Sequence, residues 1–250
     1  MRPIAIMAAM QEEMLGLASA LQGACTIHNG SRQFNTGTLH GQPVVLVLSR
    51  IGKVAAATTA TALVERFDVS AIVFTGVAGG LAAGVNVGDM VVASEFIQHD
   101  MDASPLFAPL EVPLYGRAHF PTDIALTQSL RAVAQDILKN PAQWIDNETL
   151  KDLHVQSPKV HSGLVLSGDR FVSTSSESQA LQKRLPLALA VEMEGAAVAQ
   201  VCHDYGVPFA AVRTISDRAD DHATTDFSRF IQEVASRYTS VLIGAWMACR

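Results

Sequence analysis

Acidic side chains stand where three apolar runs of the sequence stop. Glu12 and Glu13 follow the run that ends at Met10, Glu192-Met193-Glu194 follows Val191, and Ser216-Asp217 follows Ile215. Acids drawn together from separate segments suit the cleavage of a bond between a sugar carbon and a nitrogen heterocycle. Such a cleavage leaves positive charge on the ribose and negative charge on the base, so it calls for carboxylates near the sugar and an acid near the base. One carboxylate would accept from both ribose hydroxyls, a second would polarise water at C1′, and an acid would donate to the departing base. The logic parallels the paired carboxylates of O-glycosidases, with a different leaving group.

Taken singly, each acid has a plainer reading. Glu12 and Glu13 suit the first turn of a helix, where the dipole favours negative charge, and Glu192 and Glu194 suit the start of another. Asp217 suits an N-cap or a turn. Glycines 76, 79 and 80 match neither the Rossmann spacing nor a Walker ending, and Gly52-Lys53 lacks the upstream glycine of a Walker loop, so no nucleotide-phosphate site is expected at either. The glycines instead let backbone approach a flat ligand or make a tight turn. His99-Asp100-Met101-Asp102 and Asp220-Asp221-His222 contain metal-ligand residue types without a paired motif elsewhere, which reads as loop polarity. Phe227 and Phe230 sit at helical spacing, the pattern of core residues, whereas Met193 lies between two acids.

Residues that act together must be brought together, and the chain has the alternation that does this. Apolar runs of strand length alternate with longer Ala-rich segments of helical period, the pattern of an α/β fold whose strands are buried on both faces. Strands are expected at 4–8, 33–39, 43–48, 71–75, 88–98, 160–166, 187–191 and 209–215. Helices are expected at 11–21, 52–67, 122–139, 177–184, 195–205 and 225–247. The polar stretch 140–157, next to Pro141 and Pro158, reads as a surface excursion with room for a short helix. In open α/β sheets ligands bind beyond the carboxyl ends of strands, which is where the acids fall. No linker, internal repeat or low-complexity tract divides residues 1–250, so one domain is expected.

Composition narrows the ligand. With 49% hydrophobic residues over 250 positions the chain can build a substantial core. Its 18 Lys and Arg against 24 Asp and Glu give a net charge of -6, which disfavours a nucleic-acid partner and favours a small molecule. Cys25, Cys202 and Cys249 are widely spaced and form no CxxC pair, so neither disulfides nor zinc are expected and a reducing, cytoplasmic setting fits best. The apolar start is interrupted by Glu12 and Glu13 too early for an export signal, and no stretch is long and apolar enough to span a membrane.

Seven stretches then carry a family likeness. They are Ala8-Ala9-Met10-Gln11-Glu12-Glu13-Met14, Ile51-Gly52-Lys53-Val54-Ala55-Ala56, Thr75-Gly76-Val77-Ala78-Gly79-Gly80-Leu81 and Val87-Gly88-Asp89-Met90-Val91-Val92, followed by Leu166-Ser167-Gly168-Asp169-Arg170-Phe171-Val172, Val191-Glu192-Met193-Glu194-Gly195-Ala196-Ala197 and Arg213-Thr214-Ile215-Ser216-Asp217. In these residues the chain resembles the 5′-methylthioadenosine/S-adenosylhomocysteine nucleosidases of the purine nucleoside phosphorylase superfamily. The likeness covers nearly the whole chain and is poor only over 107–159, which reads as a divergent insertion.

The resemblance implies a single-domain, three-layer α/β sandwich with a central mixed, partly barrel-like sheet, and hydrolysis of 5′-substituted adenosines without cofactor or metal. It implies that Glu13 activates water, Glu194 binds the ribose hydroxyls and Asp217 protonates N7 of adenine, with Glu192 in support. It places Met193 at the sugar, Phe171 on the base, the Val172 backbone at the base edge, Ala78 and Gly79 along the purine, Met10 at the reaction centre and Phe227 at the 5′ substituent. It also implies a homodimer in which a partner loop near Phe107 closes the 5′ pocket. Val77 stands where a small hydroxyl residue is expected, so a hydrogen bond near Asp217 is either missing or supplied by Ser216, and Gln11 replaces one of three acids. Because Asp217 must hold a proton while Glu13 must not, their environments are expected to push their pKa values in opposite directions. Two rivals remain. A phosphorylase would need arginines for its anionic nucleophile, and Arg50 is the one nearby candidate beside three polar or acidic residues. A catalytically silent nucleoside-binding protein could share the fold but would not need the acids.

Overall fold

A computed structural model describes residues 1–220, 227 and 229–250. The first strand, β1 (Ile4–Ala8), is buried throughout, and its alternating side chains feed two different cores. After it the chain does not form one helix over 11–21 as the sequence suggests. A single 3-10 turn at Glu12–Met14 turns Glu13 inward before the short helix α1 (Leu15–Ala20) begins. Next come β2 (Gln22–Asn29), β3 (Arg32–Leu39) and β4 (Gln42–Leu48), an antiparallel meander whose last strand pairs with β1 in parallel. The helix α2 (Lys53–Phe67) then returns the chain to β5 (Ala71–Gly80), which runs five residues beyond the expected stop at Thr75.

β6 (Met90–Gln98) and the two-residue β7 (Phe120–Pro121) pair with each other, and α3 (Ile124–Leu138) starts at an Asp123 cap whose Oδ1 accepts the Leu126 N–H at 2.8 Å. The stretch 140–157 carries a short helix, α4 (Asn147–Asp152), but it is not merely a surface excursion. Ile145, Leu150, Leu153 and Val155 are buried in the main core, so its polar majority masks a regular set of inward residues. β8 (Val160–Ser167), α5 (Ser175–Arg184), β9 (Ala188–Glu192), α6 (Gly195–Tyr205) and β10 (Phe209–Asp217) follow, each within three residues of its expected bounds. Of the helix expected at 225–247, Phe227, Arg229 and Phe230 are helical and are followed by a π-helical turn at Ile231–Ala235 that continues into α7 (Ser236–Ala248); Thr225 lies outside the described residues, as do Asp221 and His222.

Among the described residues ten strands join one mixed sheet in the order β10-β6-β8-β9-β5-β1-β4-β3-β2 with β7 beside β6. Because β10 also pairs with β5, the strands β10, β6, β8, β9 and β5 close into a five-stranded barrel, and β1 to β4 extend from it as an open wing. Ile4, Ile6 and Ala8 face a core with α3 and α7, while Ala5 and Met7 face one with α2 and α6. Helices on both faces make three layers, which is the fold the sequence implies.

Candidate active site

The barrel closure gathers strand ends. Gly79 near the end of β5 pairs with Val191 on one side and with Asp217 on the other, so one glycine separates the two strands that carry the later acids. A Cβ on Gly79 would lie 3.0 Å from Asp217 Oδ1 and 2.9 Å from the Ala219 Cβ. Glycine is needed here to leave the carboxyl room. The open space beyond is a cavity of about 390 Å³ whose walls include Met10, Glu13, Ala78, Gly79, Phe171, Val172, Met193, Glu194, Ser216, Asp217 and Phe227. Every residue expected from the resemblance to touch a ligand therefore faces this one space.

Glu13 is buried and held by two strands. Its Oε2 accepts the N–H groups of Ala9 (3.0 Å) and Met10 (2.9 Å) after β1, and its Oε1 accepts that of Val77 (3.0 Å) within β5. Gly76 makes this approach possible, since a Cβ there would lie 2.8 Å from Oε1. Burial pushes the Glu13 carboxyl above its ordinary value, although these three N–H groups and the charge of Arg213 pull the other way.

Asp217 ends β10 with its Oδ2 accepting the Ser216 hydroxyl at 2.8 Å and its Oδ1 accepting the Ala219 N–H at 2.7 Å. The Ser216 bond is the one expected to compensate for Val77. Burial again raises the carboxyl, opposed by both hydrogen bonds and reinforced by the charge of Asp220. Opposite shifts are thus not what the structure shows. Glu13 and Asp217 both rise, because desolvation dominates at each.

Glu192 and Glu194 have different surroundings. Glu192 is saturated: the Ser167 hydroxyl and the Gly195 N–H donate to its Oε1, and Arg213 Nη2 (2.7 Å) and the N–H groups of Gly195 and Glu194 donate to its Oε2. Arg213 is itself buried, with its guanidinium 4.2 Å from the Phe74 ring centre and Nη1 donating to the Phe74 carbonyl. Among the described residues Glu194 has one hydrogen bond, from the Gly52 N–H at 2.8 Å to Oε1. Burial and the repulsion of Glu192 push its carboxyl up to about 8. Glu192 lines the cavity with its acceptors saturated, while Glu194 has unused acceptor capacity facing the cavity.

The apolar walls complete the description. Phe171 and Phe227 meet edge to face with centroids 5.7 Å apart at 72°, and Phe227 therefore lines the cavity instead of packing into the core like Phe230. In the sequence Arg213 and Ser167 stand only as parts of longer motifs, with nothing that marks them as partners of Glu192. A lone arginine inside the apolar run Phe209-Ala210-Ala211-Val212-Arg213 is the sequence signal that could have revealed a buried partner. Among the described residues no group of His, Cys, Asp and Glu is placed to hold a metal ion, and no helix is long and apolar enough to cross a membrane.

Residues 3–245 match the family model of the phosphorylase superfamily. The chain is 37% identical over 237 residues to a 5′-methylthioadenosine/S-adenosylhomocysteine nucleosidase of Chromohalobacter salexigens, covering 94% of this chain and 93% of that protein. It is 35% identical to the enzyme of the same description from Anoxybacillus flavithermus, covering 93% and 92%. In three dimensions it is similar to the nucleosidase of Neisseria meningitidis solved in complex with methylthio-immucillin-A, with a TM-score of 0.87, 31% identity and all of both chains covered.

Proposed function

The chain belongs to the phosphorylase superfamily, among its 5′-methylthioadenosine/S-adenosylhomocysteine nucleosidases, and on that premise we infer that it hydrolyses the N-glycosidic bond of 5′-substituted adenosines. The products are adenine and the 5′-thio-substituted ribose. The observation that carries the mechanism is the convergence of Glu13, Glu194 and Asp217 from three strand ends on one cavity with apolar walls.

Each acid has a task that its surroundings suit. Asp217, its carboxyl raised by burial, holds the proton that passes to N7 of adenine as the C1′–N9 bond breaks, so the bond's electrons enter a neutral base. Glu194 accepts from the ribose 2′ and 3′ hydroxyls with the capacity that Gly52 leaves free. Glu13 takes a proton from water as its oxygen bonds to C1′, and its raised carboxyl makes it a stronger base than an ordinary carboxylate. Phe171 and the Val172 backbone lie against the base, Met10 and Met193 against the sugar, Ala78 and Gly79 along the purine, and Phe227 against the 5′ group.

Hydrolysis is favoured over phosphorolysis by what the arginines are doing. Of the two that line the cavity, Arg213 is committed to Glu192 and Arg170 pairs with Glu177, while Arg50 donates to the Ser31 carbonyl and lies outside the cavity wall. Incubation with 5′-methylthioadenosine, with and without phosphate, should release adenine and a free sugar in both cases; ribose 1-phosphate chemistry would overturn the reading. A homodimer is part of the same proposal. Leu106 and Leu114 are 86% and 91% exposed on the segment that the partner would receive, and sedimentation should show a dimer.

A further inference from the structure

Lys53, Asp100 and Asp169 belong to motifs that the reaction leaves without a role, and none of them lines the cavity. They form a closed ring just behind it. Lys53 opens α2, and its Nζ donates to Asp100 Oδ1 at 2.6 Å and to Gln98 Oε1 at 3.1 Å. The other oxygen of Asp100 accepts the backbone N–H of Asp169 at 2.9 Å. Asp169 closes the ring by accepting, on its own Oδ1, the backbone N–H of Lys53 at 2.7 Å.

The ring touches the site from two directions. One residue before Lys53, the Gly52 N–H holds Glu194 Oε1 at 2.8 Å, and a Cβ on Gly52 would lie 3.1 Å from Asp169 Oδ1. Immediately after Asp169, the residues Arg170, Phe171 and Val172 face the cavity. The first N–H groups of a helix have no partner within it and carry the positive end of its dipole, so the carboxylates of Glu194 and Asp169 compete for the same few donors. The ring settles that competition by fixing Asp169 on Lys53 and leaving Gly52 to Glu194. Burial raises Asp100, but the hydrogen bonds from Lys53 and Asp169 and the neighbouring charges of Lys53 and His99 outweigh it and hold the carboxyl below its ordinary value. Without the Lys53 ammonium, Asp100 would lose its ion-pair partner and the ring would open.

We propose that Lys53, Asp100 and Asp169 are positioning residues that hold the Gly52 N–H on Glu194 and tie this grip on the sugar hydroxyls to the segment facing the base. The proposal rests on the reading of Glu194 as the ribose carboxylate. It predicts a loss confined to recognition of the hydroxyls.

The test compares 5′-methylthioadenosine with its 3′-deoxy analogue in the full-length protein and in the variants Lys53→Met, Asp100→Asn and both together. Wild type should favour the hydroxylated substrate. In each single variant KM for 5′-methylthioadenosine should rise about tenfold, the scale of one charge-assisted hydrogen bond, while KM for the 3′-deoxy analogue, which keeps only the 2′ hydroxyl on Glu194, rises less and kcat for both stays close to wild type. The double variant should be no worse than either single one, because the ring is already open. Lys53→Arg, which keeps the charge, should recover most of the discrimination. Equal losses on both substrates, or single effects that multiply in the double variant, would overturn the ring as a positioning device while leaving Glu194 in place. A wild type indifferent to the 3′ hydroxyl would overturn the Glu194 assignment and the ring with it.

Discussion

Two buried aspartates lie on either side of Ile215, and they are put to different uses. Asp89 opens the barrel strand beside β10, with its carbonyl accepting the Ile215 N–H at 2.8 Å. Its carboxylate is enclosed: it accepts the N–H groups of Asn86 (2.9 Å) and Lys159 (2.7 Å) and faces His161 Nε2 at 2.7 Å. Asp217, two residues after Ile215, accepts from Ser216 and Ala219 and then meets open space. Both aspartates fall in stretches that carry the family likeness. Burial and hydrogen bonding alone thus do not distinguish a chemical carboxyl from a structural one; the cavity does, because it leaves an oxygen with somewhere to send a proton. Glu192 and Glu194 both line the cavity and differ instead in their partners, since Glu192 is saturated by Arg213 and Ser167 and Glu194 is not.

The contrast is best tested by variants that break one member of each pair. Asp217→Asn should lower the rate of adenine release by about 10²–10⁴-fold, the usual contribution of a positioned acid, with the melting temperature kept or raised. An active Asp217→Asn enzyme would put the proton donor elsewhere. Arg213→Met should cost about 3–5 kcal/mol of stability by stranding Glu192, as denaturant unfolding would show. Asp89→Asn should cost about 1–3 kcal/mol in the same experiment with kcat unchanged. A large loss of kcat without loss of stability would erase the distinction between the two aspartates.

The smallest effect is the most diagnostic of Glu194. Its carboxyl is raised from 4.5 to about 8 in the folded protein, so the protonated form is favoured by folding. That contribution is complete below the unfolded value and disappears as pH rises through about 8, so ionised Glu194 weakens the fold at alkaline pH. Glu194→Gln should therefore melt near wild type at about pH 4 and a few degrees above it at about pH 9, at roughly 2–4 °C per kcal/mol, while its KM rises. Parallel curves at all pH values would show that the site is not desolvated.

Much of this site was legible before any coordinates, for a reason that can be stated. β1 and α6 have the bounds the sequence suggests because each is an uninterrupted apolar or Ala-rich run with clear punctuation, and the acids lie just past such runs. β2 was not legible. Its residues Gln22–Asn29 are almost all exposed and carry no alternating pattern, so it is a strand by virtue of pairing with β3. The inward residues of 140–157 were hidden by polar neighbours, and the long β5 by glycines that usually end a strand. The joint rise of Glu13 and Asp217 could not be read at all, since desolvation depends on what the rest of the chain folds over them.

The length of β5 bears on how the pocket responds to a ligand. Its first half, Ala71 to Thr75, is a central strand between β1 and β10, and its second half supplies Gly76, Val77, Ala78 and Gly79 to the cavity wall without a break in the strand. The purine floor is therefore as ordered as the sheet before anything binds, and little conformational entropy remains there to be lost. Adaptation to different ligands must be borne by walls outside the sheet, of which the base-facing segment from Arg170 to Val172 is one. Amide exchange should slow in that segment when a nucleoside analogue binds and stay as it was along β5.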